Sequence, residues 1–187
     1  MKNQKNYGFT LNEVLVAIII GSLITILVGS TFVLNQRVFR KNNLKTELVQ
    51  NSRITLDLMS REIRQAQEIV TALPANNSNP SLIAHQLQFQ DGHVTSQIQY
   101  IRYYLENSDL KRQIIIYYFD TDPANYVYWN DINPFGSPQQ QILEDKIIGE
   151  NFSNINFYGQ DVINIDLILN KQGEHIEMKS IIKPRNI

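Results

Sequence analysis

The feature that most constrains this chain is Val14–Leu34, twenty-one consecutive residues without a formal charge and rich in Ile, Val and Leu. As a helix rising about 1.5 Å per residue, the run is about 30 Å long, the thickness of a bilayer's hydrocarbon core. It predicts a transmembrane helix. A secretory signal peptide has an apolar stretch of about 7–15 residues followed by a small-residue cleavage site, and this run is longer with no such site after it. A buried core helix would be shorter and would not run into NQRVFRKNNLK, where Arg37, Arg40, Lys41 and Lys45 arrive together. Gly21, Ser22, Gly29 and Ser30 are small enough to admit another helix closely, although such residues are also common in ordinary membrane helices. Lys2 and Lys5 precede the run and four cations follow it, so charge bias does not orient it. The large C-terminal part leaves only the short leader as the cytoplasmic piece.

With 187 residues, 43% of them hydrophobic, the chain has room for one compact domain and an appendage. Residues 1–71 carry nine Lys or Arg against five Asp or Glu, whereas residues 72–187 carry eight against thirteen. The acidic C-terminal part repels phosphate, which argues against direct nucleic-acid binding there. With no cysteine, a disulfide framework or a thiolate metal site is excluded.

At the threshold of the apolar run stands Glu13, a carboxylate that is costly at the edge of hydrocarbon unless neutralised or paired. The stretch around it, GFTLNEVLVAI, resembles the type IV prepilin signal shared by pilins and by the pseudopilins of type II secretion and competence systems. The resemblance implies a leader of residues 1–8, a prepilin peptidase cut between Gly8 and Phe9, and N-methylation of Phe9. Glu13 then becomes the fifth mature residue, and the family implies that its carboxylate pairs with the terminal amine of a neighbouring subunit. A single-pass anchor with Glu13 at the headgroup level is the plainer alternative. Asn12 departs from the family, where an aliphatic residue is more usual. The mid-helix proline of many major pilins is missing, since the first proline is Pro74, which leans toward a minor pilin or pseudopilin.

Beyond the run, Val49, Ser52, Leu56, Met59, Ile63, Ala66 and Val70 recur at three- and four-residue steps, forming one mostly apolar stripe. Asp57 and Arg61 lie four apart on another face, as a surface pair would. TALPANNSNPSL ends the helical pattern, so the helix is expected from about Thr10 to about Thr71, with its glycines and RKNNLK as places to bend or loosen. The stripe covers either the chain's own sheet or a partner's helix.

After residue 82 the period changes to two. HQLQFQ, QIQYIRYYL, RQIIIYYF, YVYW, NINFY, VINIDLILN and EHIEMKSII read as strands. ENSDLK joins the second and third, and KQG is the turn of a C-terminal hairpin. The expected fold is α+β: a long N-terminal helix packed on one antiparallel β-sheet head. The domains are then 1–8 leader, 9–34 transmembrane and assembly helix, 35–73 amphipathic stem and 74–187 β-rich extracytoplasmic head. SRITLDLMSREIRQA and the closing hairpin with KPRN further resemble the minor subunits called J in type II secretion and W in type IV pili.

No convergent catalytic spacing, phosphate loop or zinc motif is visible, so an enzyme is disfavoured and no cofactor is expected. His85, His93 and His175 are scattered. Asp120, Asp122, Asn125 and Asp131 offer oxygens of the kind calcium takes, but their spacing fits no calcium loop and solvated turns explain them as well. Tyr126, Tyr128, Trp129 and Phe135 either fill the core or form an exposed contact surface.

The expected function is that of a structural minor pilin or pseudopilin, held as a single-pass protein of the cytoplasmic membrane and then assembled near the tip of a pilus or pseudopilus. The resemblance implies as partners the prepilin peptidase, a membrane assembly platform, other pilin-like subunits and the lipid bilayer. The rival reading is a permanently membrane-anchored extracytoplasmic binding protein.

Overall fold

The computed structural model describes residues 9–79, 82–93 and 97–185, so the leader and Gly8 lie outside the described residues. The first element of the described residues is one continuous helix, α1, Leu11–Arg64. The chain divides into two units within this helix, after Asn43.

The first unit has one segment long and apolar enough to cross a membrane. Its polar side chains bond the helix's own carbonyls: Ser22 Oγ to Ile19 O at 2.8 Å, Thr25 Oγ1 to Gly21 O at 2.8 Å, Ser30 Oγ to Leu27 O at 2.9 Å and Thr31 Oγ1 to Leu27 O at 2.8 Å. Each of these hydroxyls therefore has its donor satisfied within the helix, as a lipid environment would demand.

Among its described residues, the second unit contains the rest of α1 and nine antiparallel strands: β1 Glu68–Ile69, β2 Gln86–Gln90, β3 Tyr100–Glu106, β4 Asp109–Phe119, β5 Asp122–Tyr126, β6 Gln139–Glu150, β7 Phe152–Tyr158, β8 Ile163–Lys171 and β9 Glu174–Ile182. The expected α+β layout is present, with the apolar stripe packed on the chain's own strands. Leu48, Ser52, Thr55, Leu56, Met59, Ile63 and Ala66 are buried. The surface pair also forms, with Arg61 Nε 3.4 Å from Asp57 Oδ2.

Besides β6, for which the sequence expectation has no strand, three details differ from that expectation. The helix ends at Arg64, not near Thr71, because β2 captures the chain: Gln67 N donates to Gln90 O at 3.1 Å and Val70 N to Gln88 O at 2.9 Å, making Glu68–Ile69 a strand. Val70 thus follows β1 instead of closing a helical stripe, and the last part of the 35–73 stem is not helical. The described residues of the head form two sheets instead of one, β1-β2-β3-β4-β5 with β6 on the other side of β4, and β7-β8-β9. They meet where Phe157 N donates to Ala84 O at 2.8 Å and Phe152 N to Ser108 O at 2.9 Å. One core serves both sheets, since Met59 and Ile63 of α1 cluster with Phe89 and Tyr103 of the larger sheet and with Phe157 and Leu167 of the smaller. Finally, YVYW is not a strand; β5 precedes it, and only Tyr126 is shared.

Two hairpins turn on two residues with positive φ. Asn107 and Ser108 (52° and 70°) join β3 to β4, and Gln172 and Gly173 (52° and 84°) join β8 to β9, the backbone that matches strand twist in a two-residue turn. Near the end of β6, a Cβ on Gly149 would stand 2.9 Å from Thr55 Oγ1 and press on the Phe152 ring. Glycine there lets the helix approach the strand closely.

Where α1 meets the larger sheet, the Arg112 guanidinium binds Glu62 through Nε at 3.0 Å to both oxygens and through Nη2 at 2.9 Å. Its Nη1 reaches Glu144 at 3.2 Å, and Tyr103 donates a short hydrogen bond to Glu62. This network joins α1, β3, β4 and β6 through side chains that are only 13% and 14% exposed for Glu62 and Arg112.

Candidate assembly site

Glu13 is positioned by a capping box. Thr10 stands just before the helix; its backbone N–H donates to Glu13 Oε2 at 2.8 Å and its hydroxyl to the same oxygen at 3.0 Å, while Glu13 N donates to Thr10 Oγ1 at 3.4 Å. The reciprocal bonds satisfy two donors that a helix start otherwise leaves open, and the carboxylate faces the positive end of the helix dipole. In the sequence the signal is TLNE, a T-x-x-E box that offers Glu13 a partner within its own helix start, beside the two readings given above. In this chain the acid is thus held by its own helix. Phe9, the expected mature terminus, is 87% exposed, and the side chains of residues 14–34 are exposed along their whole length. Nothing within the described chain covers this apolar surface.

The calcium candidates do not converge. Asp122 Oδ2 accepts from Asn125 Nδ2 at 2.6 Å, and Asp131 Oδ2 from Tyr128 N at 2.8 Å. Both act as local turn-formers. Asp120 lies exposed at the β4–β5 turn. Among the described residues, no three His, Cys, Asp or Glu side chains gather as metal ligands would. The histidines stand apart: His85 Nδ1 is 3.0 Å from Ile155 O, His93 pairs with Asp91 at 3.0 Å, and His175 is exposed on β9.

The aromatic loop does not fill the core. Tyr128, Trp129, Ile132 and Phe135 are all exposed, Ile132 and Phe135 to 81% and 83%. Yet the loop is well tied: Asn133 and Gly136 exchange two backbone bonds at 3.1 Å around Pro134-Phe135, Asn133 Oδ1 accepts from Phe135 N at 2.8 Å, and Trp129 N donates to the buried Tyr100 hydroxyl at 3.2 Å.

Burial pushes the Tyr100 phenol up to about 12 from an ordinary value of 10.0, despite the opposing Trp129 N–H. Burial raises Tyr103 as well, with Glu62 beside it adding to the effect. The unfolded chain releases these protons at lower pH than the folded one, so their stabilising contribution is intact below pH 10 and is lost as pH rises from 10 toward 12. A pH titration of head unfolding by circular dichroism is expected to show stability falling over that window. Tyr100→Phe is expected to shallow the fall.

Comparison with models of known protein families gives no match, and comparison with curated proteins gives none either.

Proposed function

We propose that this chain is a prepilin-like structural subunit, a minor pilin or pseudopilin stored in the cytoplasmic membrane with its head on the far side. A prepilin peptidase cuts between Gly8 and Phe9, Phe9 is N-methylated, and the exposed helix then polymerises with those of other pilin-like subunits on a membrane assembly platform, near the tip. The observation that carries this reading is the apolar surface of residues 14–34, exposed along its whole length on a helix whose start is capped by Thr10 and Glu13. Such a surface is at home both in lipid and against like helices. Glu13 supplies register. Cutting creates a cation at Phe9, and a carboxylate at the helix start is placed to trade its Thr10 bonds for an amine on an adjoining subunit.

The capping box favours a second reading, a permanently anchored binding protein, because it explains Glu13 without any neighbour. Intact-mass analysis of the protein from its native membranes separates the two. A chain beginning at methylated Phe9 is expected; one beginning at Met1 beside an active prepilin peptidase would leave the anchored binding protein.

A further inference from the structure

We propose that the outer face of the larger sheet holds a binding site for a single carboxylate group, formed by the Arg102 guanidinium and the Tyr117 hydroxyl and kept in place by Gln88. The site lies within the head and is independent of how the apolar helix is processed or used.

Tyr103 of β3 belongs to the core, so alternation places its neighbours Arg102 and Tyr104 on the opposite face. There Gln88 Oε1 accepts from Arg102 Nε at 3.0 Å and from Nη2 at 2.7 Å, and Nη2 reaches across β4 to Gln140 Oε1 at 3.4 Å. Among the described residues, both partners of this guanidinium are therefore neutral amides. A guanidinium keeps its charge and carries five N–H donors, and the two on Nη1 are left without an acceptor. Arg102 is half-buried. Its Nη1 is nevertheless open to solvent, since the one buried side-chain N or O without a partner among the described residues is Asn156 Oδ1.

The other end of the same amide holds the second donor: Gln88 Nε2 donates to Tyr117 Oη at 2.9 Å. The phenol's own hydrogen has no acceptor among the described residues, and the ring stands edge-on to the buried Tyr100 at 5.2 Å. Because arginine only donates, it dictates which way the amide faces. Gln88 is 6% exposed, and its backbone N–H donates to Thr71 Oγ1 at 2.8 Å. The two donors are thus aimed before any ligand arrives, and little freedom is lost on binding.

What the site lacks is one negative charge. Asp145 lies two strands away on β6, about 10 Å at about 4.8 Å per strand, and already accepts from Gln113 Nε2 at 2.9 Å and from Tyr104 Oη at 3.1 Å. Lys111, opposite Tyr104, is paired with Glu106. A carboxylate supplies one charge and two coplanar oxygens, which match the Nη1–Nη2 edge of the guanidinium. A phosphate or sulfate dianion would bring a second charge with no cation to meet it. A free acid and an acidic side chain of a polypeptide offer the same group.

The test is a titration of the full-length protein, labelled with nitrogen-15 and held in detergent, followed by NMR of the arginine Nε–H signals. Arg102→Lys identifies the Arg102 signal by its loss. Sodium acetate is expected to move that signal to saturation in the millimolar range, whereas sodium chloride and sodium sulfate at equal ionic strength are not. Tyr117→Phe is expected to weaken acetate about tenfold. Gln88→Glu places a counter-charge inside the site, and is expected to abolish the acetate response while the Arg102 signal persists. Glutamate blocked by N-acetylation and C-amidation separates the sources: saturation at or below the acetate concentration assigns the site to a polypeptide's acid, and acetate binding alone assigns it to a free acid. Acetate acting no differently from chloride would overturn the proposal, as would sulfate binding as tightly as acetate or an undiminished response in Gln88→Glu.

Discussion

Substituting Glu62 with alanine is expected to lower the unfolding free energy of the head by about 3 kcal/mol or more, the scale observed when one partner of a buried ion pair is removed. Alanine is the best helix former, so local helix propensity works against the loss and cannot cause it. What is lost is the partner of Arg112, which would keep only Glu144 at 3.2 Å, and the acceptor for the buried Tyr103 hydroxyl. A guanidinium 14% exposed cannot recover its hydration by turning outward. Replacing both Glu62 and Arg112 by methionine removes the stranded charge along with the pair, and is expected to cost much less than Glu62→Ala alone. Urea unfolding of the full-length proteins in detergent, followed by near-ultraviolet circular dichroism, measures both. Equal losses for the single and double variants would mean that packing around residue 62, and not the charge pair, holds α1 to the sheet.

That network also marks where sequence reading stops. Periodicity places Glu62 off the apolar stripe, as an ordinary exposed acid, and nothing local announces that Tyr103 and Arg112, 41 and 50 residues later, converge on it. The stripe itself is legible because burial on a helix repeats at 3.6 residues, and so are β2, β3, β4, β7, β8 and β9, through alternation in QLQFQ and INIDLILN and through runs rich in Ile, Tyr and Phe elsewhere. The strand β6 is not. Its register with β4 skips Leu143 and Ile148, and each extra residue shifts the alternation to the other face. It is also an edge strand, largely exposed on both faces, so no buried side imposes a pattern. The end of α1 was misplaced for a tertiary reason: Gln65–Thr71 carry no strong helix breaker, and the backbone of β2, not a local signal, draws the chain out of the helix. The Arg185 N–H then donates to Arg64 O at 3.0 Å, using the tail to satisfy an open helix carbonyl. At the assembly site, the apolar run was plain from composition and the T-x-x-E box was present in the letters. The exposed tip at Ile132–Phe135 depends on which side of β4 the loop leaves, which spacing alone does not encode.

Glu13→Val should be inserted and processed normally, yet the amount recovered in assembled filaments should fall about tenfold or more, as loss of one partner of an intersubunit ion pair implies. Insertion is preserved because valine extends the apolar run, and processing because the proposed scissile bond at Phe9 lies four residues upstream. The variant, however, removes two things at once: the capping acceptor for Thr10 and the carboxylate that is proposed to meet a neighbour's amine. Thr10→Ala separates them. It removes the Thr10 hydroxyl, and with it both side-chain bonds of the box, while leaving the acid. A frayed first turn costs a helix only the capping contribution, about 1 kcal/mol, and leaves the carboxylate freer to move to another subunit. Thr10→Ala is therefore expected to assemble at close to the normal level, as judged by immunoblotting of sheared surface or periplasmic filaments in cells that retain the sibling subunits. If Thr10→Ala fails as severely as Glu13→Val, the acid serves its own helix and register must come from elsewhere. If Glu13→Val assembles fully, the carboxylate has no part in joining subunits, and the helix surface alone must select its neighbours.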